Sequence, residues 1–180
     1  MADEPYVFPT AVEGLIRAVG DDLTPALKAQ LRALELDLDR PFPPAWRGAL
    51  FPQWVEACAT AVFPAASRDE ALRQLGRRFV SSWQATLLGS ATAVLMRTIG
   101  PKRALTRIER AFRTGDNFTR VEVEHLDDGA TRLRFSDAQG MPTYYVGILE
   151  GGSVMVGANN SRVELEASEP PSAVLMMRYE

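Results

Sequence analysis

The sequence predicts an α+β fold, with a helical N-terminal half packed on an antiparallel sheet formed by the C-terminal half. Three observations carry this. Apolar residues recur at three- and four-residue spacing from about residue 12 to residue 112. After Asn117 the spacing changes to two, with Val121 and Val123 alternating with Glu122 and Glu124. Two turn signals, Asp127-Asp128-Gly129 and Pro170-Pro171, then divide the strand-rich half.

Tyr6 to Phe8 reads as a short strand. Thr10 then caps a helix carrying Val12, Leu15, Ile16 and Val19, which ends near Gly20. Asp22 or Thr24 caps the next helix, with Pro25 in its first turn and Leu27, Leu31 and Leu34 as a narrow apolar stripe. The two helices read as a hairpin. Pro41, Pro43 and Pro44 make 38–46 an irregular connection. A helix resumes near Pro52, turns Trp54, Val55, Ala59 and Val62 inward, and stops before Pro64; Cys58 lies in it as a small apolar residue.

Ser67 opens a long helix, with Glu70 completing a capping box. Leu72, Leu75, Phe79, Val80 and Trp83 form its apolar side, and Arg73, Arg77 and Arg78 its charge. From Thr86 to Ile99 the residues are almost all apolar or small, with a kink or split at Gly89-Ser90. A helix apolar on every side is expected at the centre of the fold.

Ile99 to Phe118, IGPKRALTRIERAFRTGDNF, is the most patterned segment. Read as one helix, it starts at Pro101 and stops at Gly115. Ala104, Leu105, Ile108, Ala111 and Phe112 form one face, while Arg103, Arg107 and Arg110 form another, flanked by Lys102 and Arg113. That row is either a solvated cationic face or an anion-binding row, since guanidinium forks suit carboxylate and phosphate. Beyond it, Phe118 to Val123 and Leu133 to Phe135 pair as a hairpin, with His125 at the surface near a strand end. Pro142 to Gly157 reads as either a helix or a strand hairpin, and periodicity does not choose. Val163 to Ala167 and Ala173 to Tyr179 are the closing strands.

The chain has 180 residues and a net charge of −3, which fits one domain with a sizeable core, helical over 1–114 and strand-rich over 115–180. No apolar run reaches the length of a membrane span. The acidic start MADEPYVFPT lacks the basic and apolar regions of a signal peptide, so a cytoplasmic location is expected. Charge is sharply partitioned: residues 1–72, 73–120 and 121–180 carry −5, +8 and −6. Such a division fits a local anion site, neutralisation within the fold, or self-association as a homodimer. Neutralisation within or between subunits ranks first.

Catalytic constellations are missing. There is no nucleophile elbow and no phosphate-cradling loop. One Cys and one His leave no thiolate or imidazole cluster for a metal, and no cofactor is expected. The pairs Glu122/Glu124 and Glu164/Glu166 each project to one face of a strand and read as solvent-facing. The chain is expected not to be an enzyme.

Glu70 to Phe79 with its LGRRF, Thr86 to Gly89, Gly100 to Phe118, Pro142 to Gly152 and the N-terminal VFPTAVEGLIRAV resemble a paralogous family of uncharacterised proteins found mainly in Myxococcales, domain of unknown function 2378. The likeness covers nearly the whole chain. Tyr144, Gly147, Leu149, Glu150 and Gly151 carry a more remote likeness to the vinyl-4-reductase-type small-molecule-binding domain, whose α/β sandwich is shared with haem–nitric-oxide sensors and a vesicle-tethering subunit. That likeness implies that 142–157 is a helix, returning between the two strand pairs. The chain departs from it in lacking cysteines in the closing strands and a helix histidine for haem.

The function expected is a non-catalytic sensory or regulatory module that binds a small, partly apolar, anionic ligand. Trp83, Tyr144 and Tyr145 would line an apolar pocket between helices and sheet. Arg103, Arg107, Arg110 and Arg113 would contact the anionic group, and Asn117 would orient polar atoms. The alternative is a protein-interaction or homodimerisation module with no small ligand. Nucleic-acid binding ranks last, because aromatics are scarce among the basic residues.

Overall fold

The computed structural model describes residues 4–158 and 160–179. The reading of the acidic start therefore falls, for Met1 to Asp3, outside the described residues. Tyr6–Val7 (β1) pairs antiparallel with Trp46–Arg47 (β2), so a strand closes the proline-rich connection. Pro9–Val19 (α1) begins two residues earlier than expected, because Phe8 holds the cap and Pro9 takes the first helical position; Gly20, at φ 58°, ends it. Thr24, not Asp22, caps Pro25–Ala33 (α2), its hydroxyl accepting from Leu27 N–H at 3.2 Å.

The expected hairpin of α1 with α2 gives way to packing of α2 on Phe51–Val62 (α3). Trp54 of α3 fastens the two by donating Nε1–H to the Leu34 carbonyl at 2.8 Å. Ser67 caps Arg68–Gln84 (α4) through the Glu70 N–H. Thr86 caps the next helix, Leu87–Ile99 (α5), so the split precedes Gly89.

Pro101–Leu105 (α6) and Ile108–Phe112 (α7) replace the single helix expected over the arginine-rich stretch. The break lies at Thr106-Arg107, where Arg107 adopts φ −104° and ψ 0°. Val121–His125 (β3) and Thr131–Phe135 (β4) form the expected hairpin. Pro142–Met155 (α8) is a helix, and Arg162–Glu169 (β5) and Ser172–Arg178 (β6) close the chain.

The sheet order is β3-β4-β6-β5, antiparallel throughout, with α8 between the two strand pairs in sequence. Its inner face carries Val121, Leu133, Phe135, Leu175, Met177 and Val163, all buried. Its outer face carries charge in register: Arg132 of β4 binds Glu124 of β3 on one side and Glu166 of β5 on the other. The centre of the fold is the α4–α8 pair. The all-apolar α5 does not take that place. Gly89 and Ala93 are its buried residues, whereas Leu87, Leu88, Val94 and Leu95 face solvent. α4 takes the centre because Gly76 of α4 and Gly147 and Gly151 of α8 let the two helices approach closely.

Candidate functional site

Among the described residues, a cluster of cations without ion-pair partners lies along α6 and α7. Phe112 anchors α7 to the core, edge-on to Phe135 with centroids 5.6 Å apart and against Tyr145 at the same distance. Ile108 packs beside it. With those two turned inward, Arg103, Arg107, Arg110 and Arg113 face solvent. None of the four forms an ion pair among the described residues. Other arginines do: Arg73 and Arg77 hold Glu150, Arg78 holds Asp22, and Arg178 holds Asp128. The neutralisation expected of the basic middle is thus met by α4 and not by α6 and α7.

Two open grooves border this row. One, of about 490 Å³, is lined by Met96 of α5 together with Arg107, Arg110, Ala111 and Thr114. The other, of about 480 Å³, is lined by Glu109, Arg110, Arg113 and Thr114. The first joins an apolar floor to two free guanidinium groups. A carboxylate or phosphate bearing an alkyl tail matches that arrangement.

The two grooves bring together Arg107, Arg110 and Arg113 of the arginines read from the sequence; Arg103 lines neither, and the remaining predicted residues lie elsewhere. Trp83 is half-buried at the end of α4, and its carbonyl accepts from Thr86 N–H and Oγ1–H at 2.9 and 2.7 Å. Tyr144 is buried between Phe51 and Phe79, at centroid distances of 6.5 and 6.2 Å. Burial pushes its ionisation well up, with smaller contributions from Tyr145 and Cys58. Tyr145 packs on Phe135 at 5.0 Å, and burial raises its ionisation too.

Asn117 is committed elsewhere: its carbonyl oxygen accepts from Tyr6 N–H at 2.8 Å and its amide donates to the Glu4 carbonyl at 3.0 Å, stapling β1 in place. Met96, Ala111 and Thr114 were missed in the sequence. Met96 looked like core because α5 looked central; a hydroxyl such as Thr114 carries no signal by itself.

A model of the family described as protein of unknown function (DUF2378) matches residues 6–180. No match was found among curated protein sequences. Solved structures share the fold. An oxygen-binding H-NOX domain related to soluble guanylate cyclases superposes with a TM-score of 0.65 at 14% identity, covering 95% of this chain and 94% of that one. An H-NOX protein from S. oneidensis in the Fe(II)NO ligation state gives 0.59 at 13% identity, over 93% and 98%. A structure from work on heme redox potential and porphyrin distortion gives 0.65 at 14% identity, over 95% and 94%. Likeness at this identity establishes a common architecture, as the remote resemblance implied, and function does not follow from architecture.

Proposed function

This chain belongs to the family of proteins of unknown function DUF2378, and from that premise we propose that it is a non-catalytic sensory or regulatory module binding a small, partly apolar anion. The observation that carries the reading is the groove between α5 and α7, where Arg107 and Arg110 stand unpaired beside Met96 and Ala111. Arg103 and Arg113 extend the row and raise the local positive potential. Trp83, Tyr144 and Tyr145 serve this reading as scaffold.

The chemistry of the remaining side chains supports a binding role over a catalytic one. Burial pushes the Cys58 thiol up to about 12, so it is no nucleophile at neutral pH. Glu124 and Glu166 are held by Arg132.

Haem, named with one of the matched structures, does not fit the residues present. Haem iron takes a proximal His, a Cys thiolate, a Tyr, or a Met together with His. His125 is exposed at the end of β3, with Nδ1 3.0 Å from Thr131 Oγ1. Cys58 and Tyr144 are buried and held neutral. Phe51, Phe79, Tyr144, Tyr145, Phe112 and Phe135 form a connected run of ring contacts through the core.

Calorimetric titration with hexyl phosphate tests the proposal. Saturable binding is expected, absent for hexanol and lost in the double variant Arg107→Glu, Arg110→Glu. Equal heats for the parent and the variant overturn it. The second reading, a homodimerisation or protein-interaction module, draws on the exposed leucines of α5. A parallel pairing of α5 with its own copy would bring two arginine rows together, which opposes that arrangement. Sedimentation velocity decides between a monomer and a leucine-dependent dimer.

A further inference from the structure

We propose that the α5–α7 face docks on an anionic membrane surface, with α5 lying in the interface and the arginines on lipid head groups. The proposal rests on the reading of the arginine row as an anion site and gives that anion a source. Three features of α5 carry it. First, Leu87, Leu88, Val94 and Leu95 are 89%, 71%, 65% and 54% exposed, and with Ala91 they form a continuous stripe opposite the buried Gly89 and Ala93. Val154 of α8, 54% exposed, adds to the apolar surface of the molecule.

Second, the polar side chains of α5 are satisfied within the helix. Ser90 Oγ–H donates to the Leu87 carbonyl at 3.0 Å, Thr92 to Leu88 at 2.9 Å and Thr98 to Val94 at 3.1 Å. Such back-bonding leaves no hydroxyl proton in want of water, which suits a hydrocarbon contact. The one charge on the helix, Arg97, is turned to the Met155 carbonyl at 2.9 Å.

Third, the charge that follows is cationic and, among the described residues, unpaired. Lys102, Arg103, Arg107, Arg110 and Arg113 are opposed within α6 and α7 only by Glu109. An exposed apolar stripe on one helix and clustered cations on the two short helices that follow it in sequence together suit an anionic bilayer. At 13 residues, α5 is about 20 Å long, too short to span and long enough to lie flat. A protein partner fits less well. Helical peptides dock into grooves, whereas the exposed leucines of α5 line neither of the two grooves described. The acidic outer face of the sheet, the obvious complement on a second copy, already holds Arg132 and Arg134.

Vesicle flotation tests this, using phosphatidylcholine alone and phosphatidylcholine mixed with phosphatidylglycerol. Binding to the anionic vesicles is expected to exceed neutral binding by at least about tenfold. The double variant Leu88→Glu, Leu95→Glu should lose it by a similar factor, as should Arg107→Glu, Arg110→Glu. All four positions are exposed, and circular dichroism confirms that each variant is folded. Binding that the leucine variant leaves unchanged overturns the proposal. So does a leucine-dependent dimer that ignores vesicles. Hexyl phosphate binding without vesicle binding overturns it while leaving the small-ligand reading intact. Vesicle binding without hexyl phosphate binding supports it and removes the small-ligand reading.

Discussion

The backbone carbonyl of Arg73 on α4 occupies the space where a β-carbon on Gly147 of α8 would sit. Gly76 stands in the same relation to the Tyr144 carbonyl, and Gly151 to the Val80 side chain. The helices touch backbone to backbone, so nothing there yields easily. Gly147→Ala should cost about 3 kcal/mol in urea unfolding. Gly152, one residue beyond the contact, faces open space. Gly152→Ala should therefore stabilise by about 0.5–1 kcal/mol, through helix propensity.

Glu150 bridges the same helices. Its carboxylate accepts from Arg73 Nε at 3.0 Å and from Arg77 Nε at 2.6 Å. Burial raises its pKa, but the two guanidinium groups outweigh burial and hold it below the ordinary 4.5. A depressed folded-state value contributes stability that is complete above the unfolded value and is lost as pH falls through the folded one. The parent should lose stability below pH 4.5 more steeply than Glu150→Gln. At neutral pH that variant should be weaker by about 1–2 kcal/mol, discounted for the exposure of both arginines. Parallel stability curves from pH 7 to pH 3 would refute this (range of about four units around the linkage window).

These two contacts explain why part of the chain was legible and part was not. LGRRF and YYVGILEG read as motifs because they are the two sides of one interface: Gly76 against Tyr144, Gly147 against Arg77, and Arg77 against Glu150. Periodicity gave the strand pairs for a similar reason, since Val121 and Leu133 alternate toward the core with charged neighbours. α5 misled because apolar composition reports what a helix is able to bury, not what covers it. The split of α6 from α7 was also hidden, because Thr106 and Arg107 carry no breaker and Ile108 and Phe112 keep the spacing of an unbroken helix. The arginine row was visible in sequence, but its freedom from ion pairs depended on where the acidic residues fold.

Cys58 offers a probe of global opening. It is fully buried in α3, and burial alone pushes its thiol up to about 12. In the native protein a thiol reagent should react far more slowly than with the denatured chain. Its rate should track the free energy of unfolding across the glycine variants, since only exposure of α3 frees the thiolate. Fast labelling of the folded parent at neutral pH would contradict the burial.

Phe112 connects the arginine row to the rest of the fold. Its ring meets Phe135 and Tyr145, while Arg107, Arg110 and Ala111 around it line the groove. Phe112→Ala removes that anchor without touching a groove residue. A half-buried aromatic of this kind should cost about 2–3 kcal/mol. The loss should appear locally, as faster amide exchange across α6 and α7 with α4 and α8 still protected. If Arg107 and Arg110 bind an anion together, the variant should also bind hexyl phosphate more weakly, because loosened guanidinium groups must be ordered again on binding. Weakened affinity with unchanged exchange in α7 would mean that Phe112 meets the ligand directly. Faster exchange with unchanged affinity would mean that the row does not need α7 to be fixed.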